Sequence, residues 1–200
     1  MNRRKAIKNI GLAAGFFVAT PTIISLLQSC TSDVKTWTPQ FLTIDQGIVL
    51  TKMVNIFLPK TQDLPSATEL NVPQFIDRYF YEVSDDETQQ HIKIAFKNMV
   101  ANLMPNTEEA TVKDITEEDI KGHLDKNMLL EDEIDLEREA DPESLAFTVS
   151  EFLNNLKWMT INAYLTTEQI GENVLVYDPV PSRYYCGDLQ ELTGGKSYSL

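Results

Sequence analysis

DPESLAFTVSEFLNNLKWMTINAYL, residues 141–165, decides the fold class of this 200-residue chain. Within it Leu145, Val149, Phe152, Leu153, Leu156, Met159, Ile161 and Tyr164 recur near the period of a helix with one apolar side. Asp141-Pro142 is a start signal: a capping side chain, then a proline whose missing N–H is no loss in a first turn. The spacing predicts a helix from Asp141 to about residue 165.

The same period extends outward in both directions. Thr43-x-x-Gln46 forms a capping-box pattern before Ile44, Ile48, Met53, Ile56 and Phe57, and Pro59 stops that segment. Asn71 caps a second helix, whose apolar face is Phe75, Ile76, Tyr79, Phe80 and Val83. Ser84-x-x-Glu87 opens a third, with Ile92, Ile94, Ala95, Phe96, Met99, Val100 and Leu103. Thr116-x-x-Asp119 opens a fourth, to about Leu130, and Thr166-x-x-Gln169 a last short one before Gly171. No run alternates as a strand and there is no internal repeat. The expectation is all-α: an irregular bundle of about five to six helices with an extended Pro/Tyr-rich C-terminal arm.

The N-terminus reads differently. Arg3, Arg4, Lys5 and Lys8 form a basic head, and Ile10–Leu27 is an apolar run of eighteen residues. That is the build of an export signal. Arg3, Arg4 and Lys8 resemble a twin-arginine signal, a route that carries folded cargo. Leu27-Gln28-Ser29-Cys30 resembles a lipobox, in which Cys30 receives the lipid, although Gln28 departs from the usual small or apolar residue. An uncleaved anchor and a simple secreted signal stay open; the run is at the lower edge of spanning length. The domain plan is a signal over 1–30, a tether over 31–42, and one helical domain over 43–200.

Beyond residue 30 the chain has 13 basic and 30 acidic residues, a net charge of −17. That excludes nucleic acid as a partner, because phosphate demands Lys and Arg, and argues against adsorption on anionic lipid. Membrane attachment would come through a lipid on Cys30. Fifteen of the thirty acidic residues fall between Glu108 and Glu143. They lack the alternating Asp/Asn loop and central glycine of a calcium site, and read as solvated surface. Cys186 is the only other cysteine. With Cys30 acylated, it is bonded to a partner, buried as an inert thiol, or free at the surface.

Catalytic and cofactor signals are absent from the pattern. His91 and His123 are thirty-two residues apart on different helices; His91 has no carboxylate at helical spacing to suggest a base, and Asp119, four residues before His123, reads as a surface pair. No C-x-x-C-H or cysteine set for haem or iron–sulfur occurs. Gly194-Gly195-Lys196 lacks the rest of a P-loop. Catalytic, cofactor and metal residues are therefore expected to be none.

Two stretches depart from a generic bundle. In LPKTQDLPSATELNVPQFID, residues 58–77, Pro59, Pro65 and Pro73 stiffen the backbone, and Lys60, Thr61 and Asp63 lie between them. In VLVYDPVPSRYYCGD, residues 174–188, Pro179 and Pro181 hold the chain extended beside Tyr177, Asp178, Arg183, Tyr184 and Cys186. A stiff segment rich in Tyr and Arg loses little entropy on docking. These thirteen residues are the candidate partner interface. The competing reading folds both stretches back on the protein's own helices.

Together the two motifs resemble the gluconate 2-dehydrogenase subunit 3 family, over roughly residues 44–190. The resemblance implies a small helical subunit of a periplasmic, membrane-associated dehydrogenase. Its partner would be a GMC-type large subunit that holds FAD and oxidises a sugar, sugar acid or glycoside. A further partner would be a cytochrome c, with haem c in that third subunit. The small subunit would itself be non-catalytic, supporting export and maturation of the large one. The reading from a different class is a stand-alone acidic periplasmic lipoprotein that binds a sugar or peptide. Exposed Trp and Tyr around a cleft would favour it, with only Trp37 and Trp158 as tryptophans.

Overall fold

The computed structural model describes residues 37–105, 110–128, 134–178, 180 and 186–199. The compact unit is Thr38–Leu200. Its helices are α1 (Ile44–Phe57), α2 (Val72–Glu82), α3 (Asp86–Leu103), α4 (Glu117–Asn127), α5 (Leu136–Ala140), α6 (Val149–Leu165), α7 (Glu168–Asn173) and α8 (Leu189–Thr193). A 3-10 turn, Val112–Asp114, precedes α4. Among the described residues there is no strand, only one parallel bridge between Val176 and Tyr198. The all-α expectation holds. The helix count among the described residues is higher than expected because of α5 and α8, two helices of five residues each that the sequence pattern did not signal.

The helix starts show where local signals compete. Thr43 and Gln46 cap α1 reciprocally, at 3.2 and 3.0 Å. Thr116 and Asp119 do the same for α4. Of the other four, three are displaced from the expected residue, while Asn71 holds the expected N-cap position without the expected side-chain bond. The helix of residues 141–165 begins only at Val149, where Thr148 and Glu151 form a complete box at 3.2 and 3.0 Å. Asp141-Pro142 instead makes a turn after α5, with the Ser144 N–H donating to the Asp141 carbonyl at 3.3 Å. Asp85, not Ser84, caps α3, accepting the Thr88 N–H at 2.8 Å. Asn71 makes no side-chain cap; at φ 59° it takes the left-handed conformation that Asn tolerates and turns the chain into α2. Thr167 rather than Thr166 precedes α7, and its hydroxyl donates back to the Tyr164 carbonyl.

Helices α1 and α6 form the centre. The first packs against α2, α3, α4 and α6, the second against α1 to α4 and α7. Leu50, Met53, Ile76, Phe96, Ile120, Leu153 and Leu156 are fully buried between them. A line of aromatic rings crosses this core, Phe41–Phe80–Phe96–Phe152, with neighbouring centroids 5.8, 6.1 and 5.0 Å apart. Helices α2 and α4, with 11 residues each, are short of the length that would stand alone in water, so burial of their apolar faces is what holds them.

The end of the expected tether is not free. The Asp77 carboxylate, buried on α2, accepts the backbone N–H groups of Gln40, Phe41 and Leu42 at 2.7, 3.2 and 2.9 Å. Leu42 is buried, and Lys93 Nζ lies 5.0 Å from the centre of the Phe41 ring. The ordered domain therefore begins before residue 43. The C-terminal stretch is also tied down. The Val176 N–H donates to the Ser197 carbonyl at 3.0 Å, and the Ser199 N–H to the Val176 carbonyl at 2.9 Å. Gly194 and Gly195, at φ 65° and 81°, make the turn that permits this return.

Candidate docking surface

An apolar groove of about 570 Å³ is walled by α2, the start of α3 and α6. Helix α2 has apolar residues over more of its circumference than one neighbour can cover. Ile76 and Phe80 turn into the core, while Phe75 and Tyr79 remain exposed. From α6 and its C-cap come Asn155, Trp158, Met159, Asn162 and Thr166, a stripe at i+3 and i+4 spacing beside the core face. Trp158 is 59 % exposed. Among the described residues no charged side chain lines the groove. None of these residues stood among the expected contacts. The surplus width of the α2 face and the Asn-Trp-Asn stripe were the available signals.

The 58–73 loop folds back on its own protein and presents its outer edge. The Tyr164 hydroxyl donates to the Pro65 carbonyl at 2.8 Å, and Thr68 donates to Asn55 Oδ1 at 3.0 Å. Ser66 and Ala67 are buried. Pro73, expected at the interface, is buried in the first turn of α2 and offers no contact surface. Pro59, Lys60, Thr61 and Asp63 are exposed and Pro65 half-buried. Lys60 pairs with Glu69 at 2.6 Å, and that hydrogen bond holds the Glu69 carboxyl below the usual range. Lys60, Thr61, Asp63 and Pro65 border an open depression of about 390 Å³. Burial pushes the Tyr164 phenol up, with Glu69 adding to the shift.

Of the arm residues, Tyr177 and Asp178 are exposed, and Cys186 carries a free, exposed thiol. The buried-thiol reading of Cys186 is thereby overturned. Pro179, Pro181, Arg183 and Tyr184 lie outside the described residues, as do Arg3, Arg4, Lys8 and Cys30.

The two histidines, distant in sequence, meet at one small cavity of about 60 Å³ between α3, α4 and α6. His91 sets its ring edge-on to Phe147 at 6.3 Å. His123 Nε2 is buried without a hydrogen-bond partner among the described residues. Burial lowers its pKa, and Lys126 lowers it further. No three metal-ligating side chains gather among the described residues. No described helix is long and apolar enough to cross a membrane.

Fold and surface define the class: a small all-α bundle with an aromatic groove and a braced, exposed loop. The chain belongs to the gluconate 2-dehydrogenase subunit 3 family, whose model matches residues 44–181. Membership implies an accessory subunit of a gluconate 2-dehydrogenase-like complex, associated with the other subunits of that dehydrogenase. No curated protein and no solved structure matches the chain.

Proposed function

We propose that this protein is the non-catalytic small subunit of a membrane-associated, FAD-dependent dehydrogenase acting on a sugar, sugar acid or glycoside. It binds the GMC-type flavoprotein subunit, accompanies it through the twin-arginine route, and tethers it through a lipid on Cys30. A cytochrome c receives the electrons. FAD resides in the large subunit and haem c in the third. The observation that carries this reading is the family match, which spans the whole 58–73 loop and the arm as far as Pro181. The exposed loop edge, the groove and the free Cys186 thiol support a docking role.

The test is co-purification of the tagged, full-length protein from its native cell, followed by mass spectrometry. A stoichiometric flavoprotein bearing FAD is expected. Replacing Arg3 and Arg4 by Lys keeps the charge and removes the guanidinium pair. Export of the flavoprotein should then fail together with that of this chain. A flavoprotein that is exported normally would sink the carrier role.

The second reading, a stand-alone lipoprotein that binds a sugar or peptide, draws on the exposed Trp158 and Tyr79 beside the groove. Titration of the isolated protein with glucose and gluconate, read by tryptophan fluorescence, separates the two.

A further inference from the structure

Three features bear on what the groove could hold. The rings of Phe75, Tyr79 and Trp158 are 51, 39 and 59 % exposed. Asn155 and Asn162 flank Trp158 on the same side of α6, and neither side-chain amide has a hydrogen-bond partner among the described residues. Finally, the groove wall at Ser84 and Thr88 brackets Asp85, Asp86 and Glu87, all exposed. The only cation of adjoining α2, Arg78, is already paired with Glu82 at 2.9 Å.

We propose that this groove clamps an extended, Lys- or Arg-bearing segment of the flavoprotein subunit, its backbone held by the amides of Asn155 and Asn162. The proposal rests on the accessory-subunit reading above and names the surface and the segment chemistry. An Asn amide offers one acceptor and one N–H donor group, the complement of a single extended residue's N–H and C=O. A helical segment has spent those backbone groups on itself. Asn155 and Asn162 are seven residues apart, about 10 Å along the helix axis. That equals about three residues of extended chain at roughly 3.3 Å each. Between them, Trp158 gives an aromatic face for an ammonium or guanidinium, with the methylene stem lying across the rings.

Charge selects the occupant. The Asp85–Glu87 corner draws cationic side chains toward the groove end and repels acidic ones. It also disfavours a second copy of this chain, which carries the same acidic corner and a net charge of −17 beyond residue 30. A purely apolar occupant would bury both amides unpaired, an unfavourable arrangement.

The test uses the full-length protein co-expressed with the flavoprotein subunit. Asn155→Leu and Asn162→Leu replace exposed amides with apolar side chains of similar size, and far-UV circular dichroism checks the fold. The double variant should lower the recovered flavoprotein about tenfold or more, as should Trp158→Ala. Asp86→Asn with Glu87→Gln should weaken association a fewfold and flatten its salt dependence. If the Leu variants bind equally well or tighter, the groove docks an apolar face and the clamp is overturned, while the accessory-subunit reading stands. If the wild-type protein recovers no flavoprotein, both fall. A wild-type dimer that Trp158→Ala disperses would make the occupant a second copy and overturn the proposal.

Discussion

The Oδ1 atom of Asp77 accepts the backbone N–H of Leu42 at 2.9 Å across thirty-five residues of sequence. With Gln40 and Phe41 on the same carboxylate, this one buried side chain fixes where the N-terminal stretch meets the bundle. Hydrogen bonds to a charged acceptor contribute about 1.5–3 kcal/mol each. Asp77→Asn keeps the shape but replaces one acceptor oxygen by a donor that faces an N–H. It is expected to lose about 2–4 kcal/mol, read as a lower urea midpoint with an unchanged slope. A loss under about 0.5 kcal/mol would show that the clamp adds nothing to the fold.

The start of α6 gives a second test. Thr148→Ala removes the cap that Glu151 N–H donates to, and a hydroxyl bonded to Asp135. About 1–2 kcal/mol should be lost. Pro142→Ala, in the turn after α5, should change stability by under about 0.5 kcal/mol. The reverse order would restore the earlier helix start.

Stability should fall on mild acidification because of His123. Its folded pKa is depressed by burial, so below the unfolded value of about 6.5 the unfolded chain binds more protons than the folded one. The stabilisation is complete above that pH and is lost as pH falls through the folded value. Urea midpoints between pH 7.5 and 5 should decline for the wild type and flatten in His123→Leu. Glu151 is held below the usual carboxylate range by Arg138, so its contribution is lost only at lower pH. An identical slope in both proteins would exclude His123 as the source.

Cys30→Ser should move the protein from the membrane to the soluble periplasmic fraction, or leave the signal uncleaved with a larger apparent mass. Unchanged fractionation and mobility would contradict lipid attachment at Cys30.

Cys186 is exposed, so an intersubunit disulfide needs only a partner thiol whose Cα comes within about 7 Å. Non-reducing electrophoresis of the complex should then give a band at the summed mass that reductant collapses. Two separate bands, with Cys186→Ser still binding its partner, would mark it as a free surface thiol.

The sequence by itself determined the class of fold and most of the core. Helical periodicity and absent alternation sufficed for an all-α bundle, because faces repeating every three to four residues have only a helical solution. Where both halves of a capping box were present and uncontested, at Thr43 and Thr116, the starts were legible too. Asp141-Pro142 and Ser84-x-x-Glu87 failed because a neighbouring Thr148 box and the Asp85 carboxylate made the same bonds at a position the core preferred. Tertiary structure alone decided which apolar residues stayed outside. Phe75 and Tyr79 share a broad face with Ile76 and Phe80, and the packing of α2 on α1, on Phe96 of α3 and on α6 turns one pair inward and leaves the other beside Trp158. It also decided the Asp77 clamp and the meeting of His91 with His123, since contacts across thirty or more residues leave no local spacing to read.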